Sequence, residues 1–269
     1  MKNKWQGIFP LKKWLTNNNI HLNKKLGQNF LLDINITNKI VKFSKLSHKD
    51  IVLEIGGGVG TLTISLLTTK IEKLYLVEID KKFSIVLDKI SNIDKRLKII
   101  YADILKTPIP EDINTIVANL PYNISVPLLV NMIDKLHIQN INVLLQKEVV
   151  DRIISVSSKK KYGKISVLFQ IFFNCKCVYN LPPSVFTPSP QVTSSLLRME
   201  RKNIHYIHLL PILKELLEVF NYRRKYMYKS IKYSFLLPYV KNKRCEDITP
   251  EEFLSLAKIV YKFSCKNQE

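Results

Sequence analysis

The chain has 269 residues, 46% of them hydrophobic and 10% aromatic, and 42 Lys+Arg against 22 Asp+Glu give a formal net charge of +20. That composition excludes a disordered or low-complexity chain and suits one large domain, or one with a modest appendage. Four cysteines make no disulfide scaffold, and neither a membrane-length apolar run nor the apolar stretch of a secretion signal is found, so a basic cytoplasmic protein is expected.

In chain order, the first expected element is a basic arm over residues 1–30, with Lys2, Lys4, Lys12, Lys13, Lys24 and Lys25 and no acid. Its lack of arginine before residue 22 favours a bacterial cytoplasm over an organelle transit peptide. An α/β domain is expected over 31–200. Short β-rich runs at 51–55, 74–79, 97–101, 115–119 and 141–146 are spaced by helix-length segments, which reads as a parallel sheet with crossover helices. Runs at 175–181 and 192–199, either side of a proline-rich loop, read as a closing pair of strands. From 201 to 269 the period changes to helical: Leu213, Leu216, Leu217 and Phe220, then Phe253, Leu256, Ile259, Val260 and Phe263. Thr249, Pro250 and Glu252 form a helix-start signature before the last of these. The surplus of positive charge, clustered at Lys159-Lys160-Lys161 with Lys164 and at Arg223-Arg224-Lys225, points to a polyanionic partner, with nucleic acid first.

Of seven glycines, four (Gly56, Gly57, Gly58 and Gly60) lie within five positions, between a strand-like and a helix-like run. Glycine permits positive φ and close approach of a ligand, so this is a nucleotide cradle. Thr61 stands where a dinucleotide fingerprint needs glycine, which weakens that reading, and no Walker lysine follows. The next strand ends in Glu78, placed to accept from a ribose diol, and the third in Ala102-Asp103, placed to meet an adenine amine. The fourth runs into Asn119-Leu120-Pro121-Tyr122. The exocyclic amine of adenine is a poor nucleophile, because its lone pair is delocalised into the ring. Acceptors on its two N–H bonds, the side-chain carbonyl of Asn119 and the backbone carbonyl of Leu120, would favour a tetrahedral nitrogen; Pro121 would stiffen the turn and Tyr122 would stack on the base. Prolines flanking Phe186 would hold it as a second stacking surface, with core packing the alternative. Cys175 with Cys177, and His205 with His208, lack the companions of a zinc site, so no metal is expected.

These segments together resemble the small-subunit ribosomal RNA adenine dimethyltransferases, the family of the kasugamycin-sensitivity enzyme. The resemblance is carried by KKLGQNFL (24–31), EIGGGVGTLT (54–63), VEID (77–80), AD (102–103), NLPYNIS (119–125), LQKEVVDRI (145–153), YGKISV (162–167), PPSVFTPSPQV (182–192) and NYRRK (221–225). It implies a Rossmann-like class I methyltransferase domain with a small C-terminal helical, rRNA-binding domain. It also implies S-adenosylmethionine as cofactor, and dimethylation of the N6 amines of two adjacent adenosines near the 3′ end of 16S rRNA during small-subunit maturation. By motif, Asn29 and Leu31 would cover the cofactor, Gly56 its methionine part, Glu78 its ribose and Asp103 its adenine. Asn119 would lie between cofactor and substrate, with Tyr122 and Phe186 on the target base. Gly57 stands where family members often have proline, which bears on loop stiffness more than contacts, and Tyr226-Met227 after NYRRK is less typical. A monomer without membrane attachment is expected. The rivals are an erythromycin-resistance methyltransferase acting on large-subunit rRNA, a non-catalytic factor of the mitochondrial transcription type, and a DNA adenine methyltransferase. LQKEVVDR, NYRRK and the helical tail favour the small-subunit enzyme, and the intact NLPY turn and acids favour catalysis.

Overall fold

The computed structural model describes Trp5 and residues 29–202 and 205–266. All six lysines of the expected N-terminal arm lie outside the described residues.

The chain forms two compact units. The first comprises residues 1–147 and 177–199, the second 148–176 and 200–269. Residues 148–176 group with residues 200–269 rather than with the residues around them in sequence. Buried Tyr162, which contacts Phe220 and Ile248, is one reason.

In the first unit, β1 (Phe30–Leu31) leads into α1 (Ile34–Ser44). Asp33 caps this helix by accepting from Asn35 N at 2.8 Å, and Lys45 ends it at φ 52°. The α1 residues Thr37, Ile40, Val41 and Ser44 are buried at helical spacing. Then come β2 (Ile51–Ile55), α2 (Thr61–Leu67), β3 (Lys73–Glu78), α3 (Ser84–Ile93), β4 (Leu97–Tyr101), β5 (Thr115–Asn119), α4 (Ser125–Asn131) and β6 (Asn140–Gln146). Strands β2 and β5 are buried on both faces, which is why their sequences show no regular apolar–polar alternation. All seven residues of α2 are buried. Arg96 holds the exit of α2 by donating to Leu67 O at 2.5 Å, Thr69 O at 2.9 Å and Ile71 O at 3.1 Å, with Asp94 as its ion pair.

The sheet is completed by β7 (Phe173–Leu181) and β9 (Ser194–Arg201), in the order β4-β3-β2-β5-β6-β9-β7. The pairs β2–β3, β3–β4, β2–β5 and β5–β6 are parallel. The chain steps outward from β2 to β4 and then returns to β5 on β2's other side. This reversal leaves a crevice beyond the carboxyl ends of β2 and β5, where open α/β sheets bind ligands. Strands β7 and β9 are neighbours, as the closing pair read from the sequence requires, and β9 starts two residues later than expected. A separate two-stranded piece joins β1 to β8 (Phe186–Thr187), antiparallel, with Leu31 opposite Phe186.

The second unit contains α5 (Lys147–Ile153, from its second residue), α6 (Lys164–Phe172), α7 (Leu210–Leu216), α8 (Leu237–Val240) and α9 (Pro250–Lys266). Tyr162, fully buried, donates to Ile248 O at 2.7 Å, and its ring meets Phe220 edge-on at 6.0 Å. Phe169, Leu213, Leu216 and Phe253 share this core. Thr249 and Glu252 form the capping box expected for α9, with bonds of 2.9 and 3.2 Å.

Candidate functional site

In the first unit a cavity of about 270 Å³ opens at the carboxyl ends of β2, β3, β4 and β5. Its walls bring together Asn29, Gly56, Glu78, Asp103, Asn119, Leu120, Pro121 and Tyr122, residues spread over more than ninety positions of sequence. Parallel strands in register account for the convergence: Ile55 lies opposite Val77, and Glu78 opposite Tyr101. Gly56 N donates to Val77 O at 2.8 Å and Ala102 N to Glu78 O at 3.0 Å, so the ladder continues into the loops that form the walls.

The glycine loop is built for a close ligand. Gly56, Gly58 and Gly60 have φ of 76°, 52° and 83°, in the region that disfavours side chains. A Cβ on Gly56 would meet nothing within 4 Å, since that side of the residue faces the cavity, whereas one on Gly58 would fall 2.6 Å from Phe30 Cε1. A Cβ on Gly57 would lie 2.3 Å from Leu76 Cδ1, a side-chain end that would have to shift. Glu78, 4% exposed, accepts from Gly58 N and from Asp80 N, both at 2.8 Å. Burial raises its carboxyl above the usual range, against the lowering by these two backbone donors. Asp103 accepts from Leu105 N at 3.0 Å, which sets its loop. Open space at Gly56, with two carboxylates on the wall beyond it, fits a ligand that carries an amino acid, a ribose and an adenine.

Asn119 Nδ2 donates to the backbone carbonyl of Asn29 at 2.8 Å. A carbonyl can only accept, so this bond fixes the amide's orientation and turns Oδ1 the other way. Tyr122 is anchored at its far end, its hydroxyl 2.7 Å from Ser194 Oγ, while its backbone carbonyl accepts from Ser125 Oγ at 3.0 Å. Tyr122 lines the cavity.

The structure does not bring Leu31 and Phe186 to this cavity. Both are core residues, 5% and 3% exposed, opposite one another in the β1–β8 pair. The alternative held open for Phe186, packing on the core, is what the described geometry has. Its ring is taken up by apolar neighbours, and the pairing of the proline-rich loop with β1 holds the strand that follows Asn29. Residues that sequence reasoning missed are Phe83, which lines the cavity and meets Phe30 edge-on at 5.4 Å, and the apolar rim of Ile79, Ile104 and Leu105. Ile79, directly after Glu78, is 66% exposed, and Leu105, two positions after Asp103, is 44% exposed. Their signal lay in that closeness: an apolar side chain within two positions of each acid can clasp a flat ring.

Glu54, behind the loop and fully buried, lines a smaller cavity of about 30 Å³ with Gly56, Thr61 and Asn119. Burial pushes its carboxyl up to about 8, and the neighbouring Glu78 carboxylate reinforces the shift, while neither carboxyl oxygen finds a hydrogen-bond partner among the described residues. From its ordinary 4.5 up to about 8 the folded state therefore keeps a proton that the unfolded chain has lost. This group's contribution to stability is complete below that window and is lost as pH rises through it, by several kcal/mol at roughly 1.4 kcal/mol per pH unit. The Glu54→Gln variant, neutral throughout, is expected to gain thermal stability relative to wild type between pH of about 5 and about 8. Parallel melting-temperature profiles for the two proteins would contradict this.

Of the cysteines and histidines set aside as metal ligands, Cys175 is a half-buried thiol pushed up to about 12 by desolvation, and the His208 ring packs on Tyr261 at 4.9 Å. In the second unit, Arg223 donates to Glu246, Lys160 O and Lys159 O, shaping the lysine loop at 159–161.

The family description "Ribosomal RNA adenine dimethylase" matches residues 19–261. The chain is 38% identical over 263 residues to a "Ribosomal RNA small subunit methyltransferase A" of Francisella tularensis subsp. novicida, with 87% of this chain and 95% of that one covered. A protein of the same name from Prochlorococcus marinus is 36% identical over 273 residues, covering 93% and 99%. Among solved structures, a dimethyladenosine transferase from Plasmodium falciparum shares the fold with a TM-score of 0.74 at 23% identity, covering 87% and 97%. The 23S rRNA methyltransferase ErmE does so at 0.64 and 20%, covering 86% and 98%.

Proposed function

From the premise that this chain belongs to the ribosomal RNA adenine dimethylase family, we propose that it dimethylates N6 of two adjacent adenosines near the 3′ end of 16S rRNA in the maturing small subunit. The chain is an S-adenosylmethionine-dependent rRNA adenine dimethyltransferase with the Rossmann-like fold of that enzyme class. The observation that carries the reading of the site is the fixed amide of Asn119 at the mouth of a cavity walled by Gly56, Glu78 and Asp103.

When bound, the cofactor supplies an activated, electrophilic methyl group, so the protein's work is placement and charge complementarity. Gly56 lets the methionine portion approach the backbone. Glu78 accepts from the ribose hydroxyls and Asp103 from the adenine amine, with Ile79 and Leu105 covering the adenine ring. Asn29, tied to Asn119, would help to cover the cofactor, and Leu31, from within the core, holds that strand in place. At the reacting end Asn119 Oδ1 and the backbone carbonyl of Leu120 accept the two N–H bonds of the target amine. This draws its lone pair out of the ring's conjugation. Pro121 fixes the turn, and Tyr122, held by Ser194, stacks on the base; Phe186 supports the same wall from the core. Each round replaces one N–H with N–CH3, so in the second round only one acceptor is engaged and the other must tolerate a methyl.

The 36–38% identity to small-subunit enzymes across most of the chain supports the small subunit as substrate. We place the enzyme, as a monomer, in the cytoplasm where subunits are assembled, and assign rRNA docking to residues 201–269 together with 148–176. No described helix is long and apolar enough to cross a membrane. The test supplies labelled S-adenosylmethionine with small subunits lacking adenine dimethylation, and large subunits in parallel. Label is expected in small-subunit rRNA alone. Label only in large-subunit rRNA would move the chain to the resistance-methyltransferase branch.

A further inference from the structure

Between Glu218 and Glu246 the chain carries eight Lys or Arg, five tyrosines and no acid. All of this lies in the second unit. A solvated basic face has no need of aromatic rings, and tyrosines that fill a core are buried, whereas Tyr222, Tyr226 and Tyr228 are 54%, 44% and 41% exposed.

Their presentation is rigid. Met227 is fully buried, its N–H donates to Lys243 O at 2.8 Å, and Tyr226 bridges Arg244 in a strand-like pair. With residue 227 pinned inward, the residues on either side turn out, and their rings stack at 5.9 Å with an interplanar angle of 22°. Cations border the pair: Arg244 lies 5.8 Å from the Tyr226 ring and Lys229 5.7 Å from that of Tyr228. Lys225 lies 5.2 Å from the ring of Tyr222. Neither Lys225, Lys229 nor Arg244 has an acidic side-chain partner among the described residues, whereas Arg223 and Lys243 are each ion-paired. Unpaired cations beside flat exposed rings are the chemistry of single-stranded nucleic acid, whose phosphates meet the cations while unstacked bases meet the rings. A duplex offers the phosphates but keeps its bases inside.

We propose that Tyr226 and Tyr228 form a stacking platform for an unpaired nucleobase of rRNA, with Lys225, Lys229 and Arg244 as its phosphate contacts. The inference rests on the rRNA reading above and adds a site apart from the methyl-transfer cavity. Arg223, committed to Glu246 and the 159–160 carbonyls, is a positioning residue for the lysine loop.

The test measures binding of the full chain to a short single-stranded RNA and to a duplex containing it, across a range of salt. The Tyr226→Leu/Tyr228→Leu variant is expected to bind the single strand about tenfold or more weakly, with duplex affinity and salt slope unchanged. The Tyr226→Phe/Tyr228→Phe variant keeps the wild-type affinity, because stacking needs the ring and not the hydroxyl. Ultraviolet crosslinking of the wild-type complex is expected to put adducts on Tyr226 or Tyr228, which tests the platform even if the leucine variant misfolds. Unchanged single-strand binding in a folded leucine variant, an equal loss on both RNAs, or adducts confined to other segments would overturn the platform while leaving the rRNA reading intact. Failure of the wild type to bind either RNA would overturn both.

Discussion

Asn119→Ala is expected to lower the methyl-transfer rate at saturating cofactor by about 10²–10³-fold, the loss typical when one preorganised polar group at a reacting centre is removed. Cofactor affinity should change far less, because Glu78, Asp103 and the Gly56 loop remain. The variant loses two things at once: the acceptor for the substrate amine, and the Nδ2 donor that holds Asn29 O at 2.8 Å. Asn119→Asp separates them. It keeps an oxygen for the amine but sets a carboxylate against the Asn29 carbonyl, two acceptors with no proton between them. Turnover should therefore fall in the aspartate variant too, together with looser packing of the segment at Asn29. Rapid-quench turnover and cofactor titration on the same preparations would decide it, and equal losses of rate and cofactor affinity in Asn119→Ala would contradict the division of roles.

The second large effect falls on binding. Glu78→Ala is expected to weaken cofactor affinity by about 10- to 100-fold, equivalent to 1–3 kcal/mol. It should also lower the melting temperature, since Gly58 N and Asp80 N both lose their acceptor at 2.8 Å. Glu78→Gln retains one carbonyl oxygen, enough for one of these two donors, and should fall between wild type and alanine. A pH signature accompanies this. Burial raises the Glu78 carboxyl above its ordinary value, so acidification protonates it earlier than an exposed glutamate and removes acceptor capacity. Wild-type cofactor affinity should thus drop as pH falls through that raised value, with a weaker drop in Glu78→Gln. Calorimetric titration at several pH values is the check, and a glutamine variant that keeps the full wild-type pH dependence would assign it to another group.

Much of the sheet was legible because short apolar-rich runs are spaced by helix-length segments; Ile51–Ile55 and Thr115–Asn119, buried on both faces, and the edge strand Leu97–Tyr101 all have the expected limits. Where an apolar run outlasts its strand, periodicity misplaces the end. Ile79 looked like the last residue of β3, but lies beyond Glu78 and is 66% exposed on the cavity rim. The wall residues Gly56, Glu78, Asp103 and Asn119 were legible because each closes a strand, and parallel strands bring their carboxyl ends together.

What sequence did not disclose depends on partners far along the chain. The bond from Asn119 to Asn29 spans 90 positions and that from Tyr122 to Ser194 spans 72. Neither leaves a local pattern. Strands β1 and β8 have two residues each, too short for any alternation to register, yet their pairing is what buries Leu31 and Phe186. The grouping of 148–176 with the C-terminal helices was hidden for a similar reason. Buried Tyr162 looks like any α/β core residue until its partners, Phe220 and Ile248, are known.

The most direct test of the account is the chemical identity of the product. Small subunits lacking adenine dimethylation would be incubated with the protein and S-adenosylmethionine, and the 3′-terminal rRNA fragment digested to nucleosides and analysed by mass spectrometry. N6,N6-dimethyladenosine is expected to approach two equivalents per subunit, preceded by transient N6-methyladenosine. Methyl groups at any other position, or a protein that binds the cofactor yet leaves the adenosines unmodified, would contradict it.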